Sequence, residues 1–258
     1  MPLNLAKPEA GSLAYAAGHI PTALYAHLDH DLSSPITASS GRHPLPSTAA
    51  FEATLRRWGV TADTQVIAYD ADTGVYAARL WWLLRWVGHR RVAVLDGGLR
   101  AWREQLLPVT AEPSAPRAPG DFRAVPDDSA WLSTTAVSER TAAPDWCLLD
   151  ARAPERFSGA VEPIDRIAGH VPGARNLPFA SNLDSNGRFL SPAQLHAQLS
   201  ARQADIKDDH TVVMCGSGVT ACHVLLALEL AGKPGARLYA GSWSEWIRDP
   251  QRPVATGS

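Results

Sequence analysis

Apolar residues fall in short runs bounded by polar or turn residues along most of the chain. The runs Val66-Ile67-Ala68, Val92-Ala93-Val94-Leu95, Trp146-Cys147-Leu148-Leu149 and Thr211-Val212-Val213-Met214 predict strands. Longer apolar stretches follow some of them. One opens at Gly74-Val75 and carries Trp81, Trp82 and Trp86; another covers Ala221 to Ala231. Both predict helices, with the tryptophans packing a core and a domain interface. Strands alternating with helices predict α/β units around a mainly parallel sheet.

The pattern is written twice. Ala17-Gly18-His19-Ile20-Pro21 recurs as Ala168-Gly169-His170-Val171-Pro172, and the strand Thr64 to Tyr69 recurs as His210 to Cys215. Gly74-Val75 then matches Gly218-Val219, and Asp96-Gly97-Gly98 with Trp102 matches Ala240-Gly241-Ser242 with Trp246. Matches in the same order at a spacing far beyond a solenoid repeat mark a domain duplication. Between the copies, Pro108, Pro113, Pro116, Pro119 and Pro126 are mixed with Ala, Ser and Gly120, which reads as an extended, semi-rigid linker. The chain divides into a first domain over residues 1–107, a linker over 108–130 and a second domain over 131–258.

Composition narrows the class. With 45% hydrophobic and 19% charged residues the chain buries a sizeable core. A net charge of −2 gives no basic field, so nucleic acid is disfavoured as a partner. No apolar run is long enough for a membrane span, and the first residues show no secretory pattern, so the cytoplasm is expected. Cys147, Cys215 and Cys222 form no Cys-x-x-Cys pair, which argues against a disulfide framework and a structural zinc.

Chemistry concentrates at Cys215-Gly216-Ser217-Gly218-Val219-Thr220, between an apolar strand and an apolar helix. A strand-to-helix loop leaves backbone N–H groups unpaired, and glycines let it curl tightly. Its amides and the helix dipole can stabilise a negative sulfur at Cys215, which makes that residue a nucleophile. The alternative is a buried, inert cysteine before a tight turn. Cys-dependent phosphatases share such a loop in the form Cys-x5-Arg, but here Ala221 occupies the arginine position and a phosphate would meet no guanidinium.

The string Cys215-Gly216-Ser217-Gly218-Val219-Thr220-Ala221 resembles the active loop of 3-mercaptopyruvate sulfurtransferases, members of the rhodanese superfamily. Asp150-Ala151-Arg152, Arg156-Phe157, Glu162-Pro163, Gly169-His170-Val171-Pro172-Gly173-Ala174 and Gly241-Ser242-Trp243-Ser244-Glu245-Trp246 follow in family order. The resemblance implies two tandem rhodanese-like domains, the first catalytically silent, with Tyr69-Asp70 where the second has Cys215. It implies that Cys215 takes sulfane sulfur from a donor as a persulfide and passes it to a thiol, such as thioredoxin or a small thiol, or to cyanide, with no metal or organic cofactor. Rhodaneses proper resemble Cys-Arg-Lys-Gly-Val-Thr in this loop. Gly216 and Ser217 remove both cations, which favours monoanionic 3-mercaptopyruvate over the thiosulfate dianion.

The resemblance further assigns donor binding to Arg156 and the loop residues Gly216, Gly218, Val219 and Thr220. A second family arginine is displaced by one residue here, to Arg166. Ser217 is matched to a relay with His43 and Asp29, for which a surface histidine and a turn cap are the plainer readings. His19 and His170 occur in both copies and are read as structural, and Cys147 and Cys222 as buried and inert. Family members open with a strand ending in Asp-x-Arg, whereas this sequence starts at Met1-Pro2-Leu3-Asn4-Leu5. The first domain is therefore expected to lack its opening strand, leaving a neighbouring edge unpaired and the domain marginally stable.

Overall fold

The computed structural model describes residues 9–141, 143–203 and 207–257. In the first repeat, helices α1 (Ala10–Ala17) and α2 (Thr48–Arg57) precede strand β1 (Val66–Ala68), helix α3 (Val75–Trp86), strand β2 (Val92–Val94) and helix α4 (Gly98–Glu104). The second repeat runs β3 (Trp131–Leu132), α5 (Thr134–Ser138), β4 (Cys147–Asp150), α6 (Pro154–Phe157), β5 (Arg175–Asn176), α7 (Pro192–Gln203), β6 (Thr211–Met214), α8 (Thr220–Leu230), β7 (Arg237–Tyr239) and α9 (Ser242–Trp246). Strands β3-β7-β6-β4-β5 form one sheet and β1-β2 another, with every pairing between them parallel. No helix among the described residues is long and apolar enough to cross a membrane.

Strand β6 is buried throughout because both faces of its sheet are covered. Val213 points into a core shared with α3, α7 and α8, while Val212 and Met214 pack with Val137, Tyr239, Trp243 and Trp246 on the other face. The central strand therefore ends in a rigid frame, and the Cys215 loop leaves from its carboxyl end, where open α/β sheets place their ligands.

The duplication is visible in detail. His19 and Thr110 form an antiparallel bridge, as do His170 and Ala255. The His19 ring stacks on Tyr15 and its Nδ1 bonds that residue's carbonyl at 2.9 Å; His170 does the same with Phe157 at 2.8 Å. Trp102 Nε1 donates to the Pro108 carbonyl and Trp246 Nε1 to that of Pro253. The two histidines are thus structural pins. Their spacing from the stacking partner differs, because the second repeat inserts residues 158–166 between Phe157 and His170, and this insertion reaches the site.

Helices α3 and α8 are the equivalent helices of the two repeats, and they pack against each other. Trp81, Trp82 and Trp86 are buried in one hydrophobic core that also holds Val224, Leu225 and Leu228 of α8. The repeats share a core instead of meeting at a polar interface, so the cleft between them is fixed. Cys147 and Cys222 are buried, and burial pushes the Cys222 thiol up to about 12.

The proline-rich connection is extended, as its composition predicts, but it is strapped to the first repeat. Gly120 N donates to the Arg56 carbonyl, Phe122 N to Val60, Val125 N to Val87 and Asp127 N to Trp86. A Cβ on Gly120 would sit 1.9 Å from the Val60 carbonyl oxygen, so only glycine allows this approach. The opening segment Met1–Leu5 lies outside the described residues. Among those described, the first repeat's sheet has two strands, and Ile67 of β1 is 54% exposed.

Candidate active site

Both repeats build a similar loop between a strand and the helix that follows it, β1 to α3 and β6 to α8, and they fill it differently. In the first, Asp70 turns its carboxylate back into the loop. It accepts from the amides of Asp72 (3.2 Å), Gly74 (2.9 Å), Tyr76 (2.9 Å) and Ala77 (3.4 Å). In the second, the amide of Gly218, the counterpart of Gly74, donates to Cys215 Sγ at 3.2 Å. The two glycines share a left-handed φ of 79°. A Cβ on Gly218 would also meet the Ala240 carbonyl oxygen at 2.6 Å. The fold thus forms an anion cradle at a helix start twice. The first copy is plugged by its own carboxylate, and the second presents Cys215, a residue that is 2% exposed.

The next turn holds the loop from below. Trp243 N donates to the Cys215 carbonyl and Ser244 N to that of Gly216, matching Leu99 N to Asp70 and Arg100 N to Ala71 in the first repeat. Ser242 has φ 52°, a conformation that glycine supplies at Gly98. The serine offsets this strain with a hydroxyl that accepts from Cys215 N at 3.1 Å and donates to the Tyr239 carbonyl at 2.9 Å.

From across the cleft, the first repeat lowers residues 41–43 onto this loop. Gly41 N donates to Glu245 Oε2 and Arg42 N to Ser244 Oγ. His43 Nδ1 then lies 2.7 Å from Ser217 Oγ, and its Nε2 lies 3.3 Å from Asp29 Oδ1. Because the carboxylate requires a proton on Nε2, Nδ1 keeps its lone pair and accepts from the Ser217 hydroxyl. Burial, then the neighbouring Arg79, push the imidazole down to about 4 against the pull of Asp29. His43 is 8% exposed and is not a surface histidine.

Arg79 lies within the apolar run of α3 and is fully buried. Its Nη1 donates to the Gly218 carbonyl and its Nη2 to those of Leu32 and His43. It joins the cysteine loop, the histidine and the first repeat through one guanidinium. Sequence reasoning missed it, although an arginine inside an otherwise apolar helix is itself a signal, since such a charge is buried only with partners.

Arg156 faces the loop. Its Nη1 and Nη2 lie 3.6 Å from where a Cβ on Gly216 would be. Its Nε and Nη2 are held by Glu162 in a two-pronged pair, and Nη2 also bonds Asp165 at 3.1 Å. Arg166 does not join it. The one-residue displacement sends its guanidinium to the carbonyls of Ile247 and Arg248 at the end of α9, and Asp165 turns to the site instead. The other oxygen of Asp165 pairs with Arg42, whose Nη2 approaches the Gly216 Cβ position to 2.8 Å. The loop's own sequence is neutral, but two guanidiniums hang over it from outside. Val219 and Thr220 open α8, with Val219 at its N-cap.

Comparison with known proteins agrees with this architecture. The rhodanese-like domain family matches residues 8–105 and 133–249. A protein of Pseudomonas aeruginosa named probable 3-mercaptopyruvate sulfurtransferase is 51% identical over 98% of this chain and 89% of its own length. The thiosulfate sulfurtransferase of Cricetulus griseus is 36% identical over 94% of this chain and 82% of its own. The crystal structure of the 3-mercaptopyruvate sulfotransferase SseA from Escherichia coli superposes with a TM-score of 0.78 at 33% identity, covering 95% of this chain and 89% of that one. Two matched repeats, one plugged and one bearing a cradled cysteine, together with these relatives, mean that the chain belongs to the rhodanese family of sulfurtransferases.

Proposed function

We propose that the enzyme takes sulfur from 3-mercaptopyruvate onto Cys215 and delivers it to a thiol, such as thioredoxin or a small thiol, or to cyanide, in the cytoplasm. The observation that carries the donor assignment is the line Asp29, His43, Ser217 ending beside Cys215. A hydroxyl backed by a neutral imidazole suits a ketone, whose oxygen gains charge as the C–S bond breaks; a thiosulfate sulfonate offers no such group.

In the first half-reaction the Cys215 thiolate attacks the donor sulfur, forming an S–S bond. The C–S bond breaks and its electron pair enters the pyruvate enolate, which takes up a proton and leaves as pyruvate. Ser217 turns its one hydroxyl proton from His43 Nδ1 to the developing enolate oxygen, and His43, whose tautomer Asp29 holds, accepts that hydrogen bond again as pyruvate leaves. The Cys215 persulfide keeps its negative charge within reach of the Gly218 amide. In the second half-reaction an acceptor thiolate attacks the outer sulfur, the S–S bond breaks, and the Cys215 thiolate returns. Arg156 binds the donor carboxylate above Gly216, with Gly218, Val219 and Thr220 shaping the cradle.

Intact-mass measurement after incubation with 3-mercaptopyruvate tests this reading. A one-sulfur adduct on Cys215 that cyanide removes, with pyruvate released in equal amount, is expected. An unmodified cysteine or an adduct elsewhere contradicts it.

A further inference from the structure

We propose that Arg79, carried by α3 of the first repeat, is a positioning residue that supplies the fixed positive charge against which the Cys215 sulfur is held as an anion. The role rests on Cys215 as the nucleophile of the reading above and holds for either sulfur donor.

Helices α3 and α8 run in one register from Gly74 and Gly218, so Arg79 and His223 occupy equivalent positions. Each reaches across to the loop of the other repeat. Arg79 Nη1 donates to the Gly218 carbonyl at 3.2 Å, and His223 Nε2 donates to the Thr73 carbonyl at 3.1 Å. The loop of Cys215 therefore faces a cation, whereas the loop plugged by Asp70 faces a histidine that burial pushes down to about 3 and keeps neutral. In that neutral setting burial raises the Asp70 carboxyl, although four amides pull it down. Amides alone fall short of offsetting the burial of an anion, and the cradle whose anion has to react has one charge more.

Arg79 also differs from the other guanidiniums of the site. It is fully buried, its hydrogen bonds among the described residues go to the carbonyls of Gly218, Leu32 and His43, and its Nε has no partner. Arg42 and Arg156 are paired with Asp165 and Glu162 and keep contact with solvent. A buried charge is costly without an opposite charge, and none of the carboxylates pairs with Arg79. Asp29, which bonds the His43 ring, keeps 43% of its side chain exposed, so water screens it. Cys222 is no rival, because its thiol donates to the same Gly218 carbonyl at 3.3 Å and burial pushes it up to about 12 against the pull of Arg79. The anion within reach is the reacting sulfur. The Gly218 amide donates to Cys215 Sγ at 3.2 Å and the carbonyl of that residue accepts from Arg79, which places Nη1 within about 10 Å of the sulfur. The same cation opposes a second one at His43, which burial and then Arg79 push down to about 4. One residue thus favours the charge state that each partner needs.

Alkylation of Cys215 by iodoacetamide, an uncharged reagent, followed against pH and located by peptide mass, tests this role without any sulfur donor. His43 with Asp29 and Arg42 face the loop from the first repeat, Arg156 with Asp165 from above Gly216, Cys222 from α8 and Glu245 from α9; none of them is altered by the substitutions. A unit charge at about 10 Å in a protein interior shifts a titration by about one pH unit. In Arg79→Met the alkylation profile moves about one unit to higher pH, and the rate at about pH 7 falls about tenfold. Arg79→Lys, which keeps the charge and loses the planar fork, keeps the wild-type profile. Urea midpoints add a cycle with Cys215→Ala: Arg79→Met costs less stability there than beside Cys215, since the anion it would strand is gone. Equal cost in both backgrounds, or loss of the fold in both, marks a purely structural arginine and overturns the proposal. So does an Arg79→Met profile that superposes on the wild-type one, a shift of the same size in Arg79→Lys, or a wild-type Cys215 that stays unmodified at every pH. Failure to release pyruvate from 3-mercaptopyruvate, with the alkylation shift present, sinks the donor assignment and leaves the role of Arg79 standing.

Discussion

Replacing His43 by Gln changes how stability depends on pH, and the size of the change follows from the burial of the imidazole. The folded His43 is pushed down to about 4 from an ordinary value of 6.5. A histidine with a depressed folded value binds fewer protons in the native state than in the unfolded one. Its unfavourable contribution is absent well above 6.5 and grows as pH falls through the window between 6.5 and 4. The linkage integral gives about 2 kcal/mol of lost stability at about pH 5, rising to about 3 kcal/mol below the folded value. Urea unfolding followed by tryptophan fluorescence at about pH 7.5 and about pH 5 measures the difference in each protein. His43→Gln narrows that difference by about 2 kcal/mol. His223, pushed down to about 3 by burial, contributes with the same sign, and the carboxyls of Asp70 and Asp165, raised by burial, contribute with the opposite one. These groups are untouched by the substitution, so they cancel between the two proteins. An unchanged difference means that His43 is already protonated in the folded protein at about pH 5. An imidazolium paired with Asp29 cannot accept the Ser217 proton, so the relay is then off at about pH 5 and the inferred burial of the imidazole is refuted.

Further outcomes follow from the same geometry. Ser217→Lys adds a cation to the loop and removes the relay hydroxyl, so kcat/KM shifts by at least about tenfold toward thiosulfate relative to 3-mercaptopyruvate; wild-type turnover of thiosulfate equal to or above that of 3-mercaptopyruvate overturns the donor assignment. Asp70→Ala strips four amides of their acceptor and costs the first repeat about 2–4 kcal/mol, read as a lower urea midpoint, with no change in the donor preference of Cys215. Limited proteolysis under native conditions cuts within the first repeat, where β1 pairs with β2 alone among the described residues, as well as in the linker; cleavage confined to the linker contradicts marginal stability of that repeat. Arg166→Ala leaves the KM of both donors unchanged and costs about 1 kcal/mol of stability, because its guanidinium serves carbonyls at the end of α9.

The parts of this molecule that were legible in the sequence are those whose physics is local. The duplication, the strand before Cys215 and the apolar helix after it are set by residues adjacent in the chain, and short-period patterns report them. His43 and Asp29 were reachable only through resemblance, since 174 positions separate His43 from Ser217 and nothing in the periodicity joins them. Arg42 and Asp165 stayed hidden for a related reason. Each reads as an ordinary surface charge until the fold brings position 42 of one repeat against position 165 of the other; Arg79 carried a signal in its apolar surroundings, but its bonds to the carbonyls of Leu32, His43 and Gly218 join segments far apart in the chain.

The deepest of these hidden relations concerns Asp70, which the sequence shows only as a residue beside the position of Cys215. Two copies of one loop have the same strand before them, the same left-handed glycine and the same bonds to the following turn. In one, an acceptor already built into the chain satisfies the amides, and no exchangeable anion can enter. In the other, the side chain at the strand end is a sulfur whose charge can be formed, extended by one atom and returned. The first repeat therefore serves as an internal control for the second: a cradle that holds a carboxylate through four amides is polarised for negative charge whichever atom carries it. Its other service is structural, because α3 and residues 41–43 carry Arg79, Arg42 and His43 into the neighbouring site. Without a cysteine at its strand end, the first repeat still forms the other wall of the candidate site, and that role accounts for the packing of Gly41 against Gly241 and of Arg42 above Gly216.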